Sequence, residues 1–576
     1  MDRNTALAFA LSMIVFVLYV LYQEDRRADQ ELAFEEQAQI ELAREETTGT
    51  GAFGSADSMG DPATDSGTRV VETIGSTAGV DRSAGVVAKR PVATLPVRTS
   101  TLQNPQVIAK ISNGTALIES WTLREVMERL PEGDVPLEMV NSEVPIFGID
   151  IAGISGSSFA QQRFEVVSES SREVVQRAEN ESGVLTRTIR LDPDGYGFDL
   201  ELQFDSARVD PVDVSFEVYV PARMSERADF KELSLLSFGE TEGVTREFVN
   251  GIGQAGFFSF GSPASPVIEI PGRSKWAGFD AQFFTGLVID PSPQARLDVN
   301  FEAIEVGDEA RSRARLPSIS VGSGGSARDL LRGFLGPKTG PALASANADL
   351  EQAVDRGWSW LEPLTVFFEL ALDWLYALIP NYGWAIIVLT ILVRIVTAPL
   401  MVKQMRSAER MREVQPKIKA LQERFADDKQ KQSEEMMKFY REEKINPLGG
   451  CLPLLFQMPV LIGLFYALRT SIGLRHAPWI LWINDLSQPA TAFTIPGVDF
   501  PVRILPLIMG ASMFAQQKMT PQTGMDPMQA RMMLIMMPGM MLLISYTFPS
   551  GLVLYWTVSN LLGIAHQYWV RNHLQH

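Results

Sequence analysis

The sequence predicts a multi-domain membrane protein, an α-helical bundle of six transmembrane helices joined to a periplasmic antiparallel β-sandwich. Three observations carry this. Apolar runs long enough to span a bilayer occur at residues 5–22 and repeatedly after residue 380. Between about residues 106 and 335 the apolar pattern has period two. Charge is also unevenly spread. Of a net −18 over 576 residues, residues 401–576 hold 18 bases against 12 acids, which leaves −24 on the first 400. An acidic front half argues against nucleic-acid binding.

Residues 1–22 are read as an uncleaved signal anchor with its N-terminus in the cytoplasm. No small-x-small cleavage site follows, and the next residues read QEDRRADQELAF. Residues 23–105 are rich in Glu, Ala, Gly, Ser and Thr with few aromatics, so they are expected to form a flexible periplasmic linker. From 106 to 335, Val214, Phe216, Val218 and Val220 alternate with more polar neighbours. Phe198, Leu200, Leu202 and Phe204 do the same, as do Leu297, Val299 and Phe301. Turn signals such as Asp192-Pro193-Asp194-Gly195 separate them, which predicts the sandwich. The single cysteine, Cys451, excludes an intrachain disulfide and a cysteine-cluster metal site. All four histidines fall after residue 400, so the sandwich has no His or Cys to act as base or nucleophile. No phosphate-binding loop is present. No enzymatic activity, cofactor or metal is expected.

Residues 358–380 are apolar but interrupted by Glu362, Glu369 and Asp373. Burying three acids in a span is costly, so this segment is expected to lie in the outer interface, anchored by Trp358, Trp360 and Trp374. The main membrane core, with five transmembrane helices, is assigned to 381–571. Within it, residues 403–444 carry twelve Lys and Arg, placing them in the cytoplasm by the positive-inside rule. Met411, Val414, Ile418, Leu421 and Phe425 recur at helical spacing, break at Ala426-Asp427-Asp428, and resume with Met436, Met437, Phe439 and Tyr440. This predicts a helical hairpin with Pro416 kinking its first arm. Its expected capture residues are Arg406, Arg412, Lys417, Lys419 and Lys431. Four further apolar segments follow, near 449–468, 502–518, 530–548 and 551–570. With the first anchor this gives six spans and places both termini inside.

Arg394 stands out within WAIIVLTILVRIVTAPLM, residues 384–401. At roughly 1.5 Å per residue it lies about 15 Å past Trp384, near the middle of a hydrocarbon core about 30 Å thick. A charge there costs at least about 2.5–3.5 kcal/mol. Thr390 lies one turn away on the same helical face. No acid lies inside any later apolar segment, since Asp485, Asp499 and Asp526 fall in polar loops. Two readings stand: a functional wet cavity between helices, or an arginine that snorkels or hydrogen-bonds its neighbours. Gln457, Ser512, Gln516 and Asn560 are candidate groove-lining groups or, equally, interhelical glue.

Long strings after residue 380 resemble the YidC family of membrane-protein insertases in its Gram-negative form. They are ILVRIVTAPL, then QPKIKALQERFADDKQKQSEEMMKFYREEKINPLGGCLPLLFQMPV at 415–460, and FPSGLVLYWTVSNL at 548–561. The order of anchor, sandwich and interfacial helix is also similar. Residues Trp276, Asp280, Phe283 and Phe284 lie in the most familiar stretch of the β domain. The resemblance implies that Arg394 sits in a hydrophilic groove open to cytoplasm and lipid and closed outside. It implies that Thr390 and Trp556 contact the entering transmembrane segment, although the family often has Tyr where this chain has Trp556. The sandwich resembles a sugar-mutarotase fold without that chemistry's histidines. The implied partners are nascent membrane proteins, ribosome–nascent chain complexes, Sec translocon components and the phospholipid bilayer, with no nucleic acid contacted except through the ribosome.

The reading is therefore a cytoplasmic-membrane insertase and chaperone acting alone or with the Sec translocon. A small-solute transporter could use a buried arginine to bind an anion, but no inverted repeat with broken helices is visible. An anchored periplasmic carbohydrate-active enzyme is disfavoured by the missing histidines and by the multi-span half. The methionines of 532–541 suit varied apolar partners, and equally suit ordinary packing and lipid contact.

Overall fold

The computed structural model describes residues 95–574 except 115, 131–132, 141–145, 154–158, 160–161, 226, 255–264, 347–348, 426–427, 443–451, 496–499 and 520–526. The expected signal anchor and most of the expected linker lie outside the described residues.

Period-two patterning becomes two antiparallel sheets. One runs from edge to edge through Thr99–Gln103, Val107–Ser112, Ala116–Leu130, Ile146–Ala152, Val212–Arg223, Glu309–Arg315, Asp298–Glu305 and Val267–Glu269. The other runs through Gly243–Phe248, Ser234–Gly239, Ser274–Asp280, Phe284–Ile289, Ser326–Pro337, Gly197–Ser206, Gly183–Leu191, Glu173–Asn180 and Glu165–Glu169. The predicted inward residues are the core: Val214, Phe216, Val218, Phe198, Leu200, Leu202, Phe204, Leu297, Val299 and Phe301 are all buried. Alternation works because successive strand side chains face opposite sides of the sheet. Trp121 of one sheet donates its indole N–H to the Leu335 carbonyl of the other at 2.9 Å, fastening the layers. The sandwich starts earlier than expected. Thr99–Gln103 pairs with Val107–Ser112 and buries Ser100 and Leu102, so this part of the expected linker is an edge strand. Five residues beside Pro105 are too short a run for their alternation to show against a polar tract.

The chain then turns helical. We label α1 Glu362–Leu378, α2 Tyr382–Arg424, α3 Lys429–Glu442, α4 Leu452–Thr470, α5 Ile504–Met519, α6 Pro527–Ser545 and α7 Ser550–Leu574. Among the described residues, Tyr382–Pro399 alone is long and apolar enough to cross a membrane. Met458–Thr470 and Arg531–Ser545 are shorter apolar helices. α1 buries Phe368, Leu372 and Leu375 while Trp374 on it, and Trp358 and Trp360 just before it, are exposed. Two of its interrupting acids have cationic partners. Arg356 reaches Glu369 at 3.3 Å and Glu362 at 3.4 Å, and Thr470 also donates to Glu369 at 2.9 Å.

The hairpin differs from expectation in one respect. Its first arm is not a separate helix. α2 runs unbroken from the apolar span through Pro399 and Pro416 to Arg424, so Pro416, expected to kink the arm, lies inside a 43-residue helix. α2 ends at Arg424 and α3 begins at Lys429; of the break expected at 426–428, residues 426 and 427 lie outside the described residues. Met411, Val414 and Ile418 pack against Met436, Phe439 and Tyr440 of α3.

The sandwich is joined to the helical half by a buried ion pair. Arg475, in the loop after α4, meets Asp229 with Nε–Oδ1 and Nε–Oδ2 at 3.0 Å and Nη2–Oδ2 at 2.7 Å. Only 5% and 9% of the two side chains are exposed. Arg475 also donates to the Met127 carbonyl and lies over the Phe284 ring. Arg129 reaches the Asn484 carbonyl at 3.2 Å, and Arg469 pairs with Glu232 at 2.7 Å. A buried charge stripped of its partner is expensive. Arg475→Ala is therefore expected to weaken docking of the sandwich by about 3–5 kcal/mol, and Asp229→Arg with Arg475→Asp to recover part of the loss. Thermal unfolding and protease cutting near residue 475 in the intact chain check this.

Candidate functional site

Arg394 lies on α2 where α7 crosses it, and its side chain is half-buried. Its Nε and Nη2 donate to the single hydroxyl oxygen of Ser559, at 3.1 and 2.6 Å. Its Nη1 donates to the Met401 thioether at 3.3 Å. Ser559 itself is buried. Among the described residues no carboxylate pairs with Arg394. Its charge is therefore not cancelled by a described counter-ion; the guanidinium is held by neutral groups, a hydroxyl and a thioether.

Other polar side chains gather on the same side. A Cβ placed on Gly563, one turn beyond Ser559, would come within 2.5 Å of Gln516 Nε2 and 3.7 Å of Arg394 Nη2. So Gln516 and Arg394 rest together against bare α7 backbone, which a larger residue at 563 would occupy. Asn560 donates to Ser512 Oγ at 3.2 Å, and Ser512 donates to its own helix at the Met509 carbonyl, 2.7 Å away. These two act as glue between α5 and α7. Trp556 is half-buried, stacked on Phe548 with centroids 6.2 Å apart, on the α7 face that carries Ser559 and Gly563.

Thr390 departs from expectation. It is fully buried, and its hydroxyl donates to the Ile386 carbonyl at 2.6 Å, so it is spent on its own helix. Gln457 lies in α4, but its side chain is outside the described residues, as are those of Arg406, Arg412 and Lys419. Lys417 and Lys431 are exposed on the hairpin. The residue that sequence reasoning missed is Ser559. The available signal was that Ser559 and Asn560 form a polar pair inside an otherwise apolar segment.

A compact loop, residues 471–488, closes the end of the helices nearest the sandwich. Asn381, which caps α2 by accepting from the Trp384 N–H, donates to the Pro478 carbonyl at 3.1 Å. Trp479 covers Gly383 so closely that no Cβ fits there, and its ring meets Trp384 edge-on at 5.8 Å. Ser550 at the start of α7 donates to the Asp485 and Gln488 carbonyls at 2.6 and 2.8 Å. One loop thus clamps the starts of both helices that build the Arg394 site.

Two family models divide the chain as the fold does. Residues 99–368 match a model described as the YidC periplasmic domain, and residues 374–576 match one described as 60Kd inner membrane protein. A membrane protein insertase YidC from Syntrophobacter fumaroxidans is 34% identical over 404 residues, 68% of each chain. The chain belongs to the YidC family. A relative of the same name from Pseudomonas putida strain W619 is 45% identical over 259 residues, which is 45% of this chain and 44% of that protein. In that match the chain spans under half of the relative's length. A crystal structure of an active YidC insertase with its first transmembrane domain resolved aligns over 83% of this chain and 95% of that one, at 18% identity and TM-score 0.34.

Membership places this YidC-family chain in the inner membrane with the sandwich as its periplasmic domain. The 471–488 loop, docked on that domain, is therefore the periplasmic cap of the helices. Its own centre is Asp485, which accepts from Ser487 N and Oγ at 2.8 and 2.7 Å and contacts His476 Nδ1 at 3.0 Å. Burial works against its charge, but the hydrogen bonds from His476 and Ser487 together outweigh burial and hold the carboxyl below the ordinary carboxylate range. A carboxyl with a depressed folded value stabilises above its unfolded value, about 3.9, and loses that stability as pH falls through the folded value. The cap is therefore expected to hold at neutral pH and loosen only below about pH 4. Hydrogen exchange of the 485–488 amides from pH 6 to 3 checks this, and Asp485→Asn should remove the acid step.

Proposed function

We propose that the chain is an insertase and chaperone that moves nascent integral membrane proteins into the inner membrane through a hydrophilic groove centred on Arg394. The observation that carries this reading is the uncompensated guanidinium at mid-span, held by a hydroxyl and a thioether. Ionisable side chains within a membrane pair with one another or with backbone carbonyls, or face a wet cavity, and mark functional pathways; a cation without a carboxylate partner can attract one from outside. An entering hydrophobic segment must carry its polar flank across a low-dielectric layer, and a wet groove shortens that layer. Arg394 draws acidic residues of the translocated tail, and the membrane potential or the segment's hydrophobicity supplies direction. The closed cap at 471–488 supports a groove that opens toward the cytoplasm and lipid. Gln516 adds to its polar lining, and Trp556 offers an aromatic face to the entering segment.

The proposed topology has six spans, with the segment at 5–22 as the first and α2, α4, α5, α6 and α7 as the rest. α1 lies in the outer interface, and both termini are cytoplasmic. The hairpin of lower α2 and α3 then captures substrates from ribosome–nascent chain complexes, through Lys417, Lys431 and the neighbouring bases, and the chain works alone or beside the Sec translocon. The polar groups of the groove all lie after residue 380, so the sandwich serves assembly rather than the insertion step. Because its removal would strand Arg475, a sandwich-deleted chain should carry Arg475→Gln.

Two outcomes test the reading. Arg394→Lys is expected to retain much of the insertion of an acidic-tailed substrate, because charge rather than fork geometry is required. Arg394→Ala should abolish that insertion, with neutral-tailed and very hydrophobic substrates suffering less. Thermal stability and insertion of both substrates, measured for each variant, decide it; equal losses that follow a fall in stability defeat the proposal. For topology, a cysteine at Lys431 should resist membrane-impermeant labelling from the periplasmic side of spheroplasts, and efficient labelling would reverse the orientation.

A further inference from the structure

We infer that Ser559 is a neutral placeholder for Arg394, a resting partner that the carboxylate of an entering tail displaces. The inference rests on the insertase reading above. A guanidinium presents a planar fork matched to the two oxygens of a carboxylate. Here two of its nitrogens, Nε and Nη2, converge on one hydroxyl oxygen, at 3.1 and 2.6 Å, and the third donates to a thioether, a weak acceptor, at 3.3 Å. The fork is filled but not matched.

The chemistry of the partner sets what can replace it. A fixed Asp or Glu at this point would make a permanent ion pair and cancel the field. An apolar residue would leave the two donors without an acceptor between substrates, at the cost of unsatisfied polar groups in apolar surroundings. A serine does neither. It holds the cation in the crossing of α2 and α7, and it yields to a charged acceptor, because charge-assisted bidentate bonds are roughly twice as strong as neutral ones. When the tail moves on, Ser559 takes the fork back. Gly563 adds to this: a Cβ there would meet the Gln516 amide at 2.5 Å and Arg394 Nη2 at 3.7 Å, so the missing side chain leaves room beside the fork. Ser559 is in these terms a positioning residue that sets the preference for carboxylate-bearing tails.

The test uses the full chain in proteoliposomes and two substrates that differ only in tail, one with acids and one with the matching amides. The readout is the ratio of acidic-tail to amide-tail insertion. Ser559→Asn and Ser559→Asp have nearly the same volume, so their comparison isolates charge. Ser559→Asp is expected to lower the ratio about tenfold relative to Ser559→Asn. Ser559→Ala, which frees the fork, should give a ratio at or above that of the unaltered chain. Equal ratios for the Asp and Asn variants overturn the placeholder, as does a fall in the Ala variant, which would make Ser559 a direct tail-binding group. If Ser559→Asp fails to fold, the Ala arm decides alone. A ratio near one in the unaltered chain, unmoved by Arg394→Ala, defeats the groove-charge reading and the inference with it. A high ratio lost in Arg394→Ala but kept in Ser559→Asp defeats the placeholder only.

Discussion

A guanidinium near the middle of a membrane-spanning helix, bonded to a serine of another helix 165 residues away, is a demanding arrangement. Arg394 reaches Ser559 only if α2 and α7 keep their relative height to within a fraction of a helical turn. That register is set at the outer end, where the 471–488 loop takes Asn381 and Gly383 of one helix and Ser550 of the other. The loop is in turn fastened to the sandwich by Arg475 and Asp229. A chain of contacts thus runs from the periplasmic domain through the cap to the arginine.

Three arginines of differing burial show how the partner decides the role. Arg475 faces a carboxylate with which it makes a bidentate pair, and that contact is a fixed joint. Arg187, inside the sandwich, lies 3.9 Å over the Phe164 ring and bonds the Gln176 side chain and the carbonyls of Ser112 and Gly114. Burial pushes its guanidinium down to about 9, and no solvent reaches it, so it is packing rather than function. Arg394 also has neutral partners, but it is only half-buried. It combines Arg187's lack of a counter-ion with an accessible side chain, which makes it available to a mobile anion.

The cap and the hairpin contrast in the same physical terms. The cap is short, carries two half-buried tryptophans and several carbonyl contacts, and is held by Asp485 with its donors from His476 and Ser487. The hairpin has a small cluster of Met411, Val414, Ile418 and the α3 residues that face them, with its charges outside. Little apolar burial means a low cost of opening. The two ends of the helical half therefore differ in how easily they open.

The sequence by itself determined the elements whose signal is local. Strand alternation identified the sandwich core down to Val214, Phe216 and Phe301, and the heptad-like spacing of Met411, Val414 and Ile418 identified the hairpin seam, because side-chain direction follows from backbone period. Arg394 was legible because a charge in an apolar run is conspicuous without any structure. Tertiary structure decided what such signals cannot contain. Thr390 shares a helical face with Arg394, yet its hydroxyl bonds its own backbone, since a threonine can always reach the carbonyl four residues back. The boundary expected near residue 403 vanished into α2, because charge pattern marks a change of solvent and not an end of helix. Ser559, Gly563 and the Arg475–Asp229 joint depend on which surfaces meet across 165 and 246 residues of chain, and no local period encodes that.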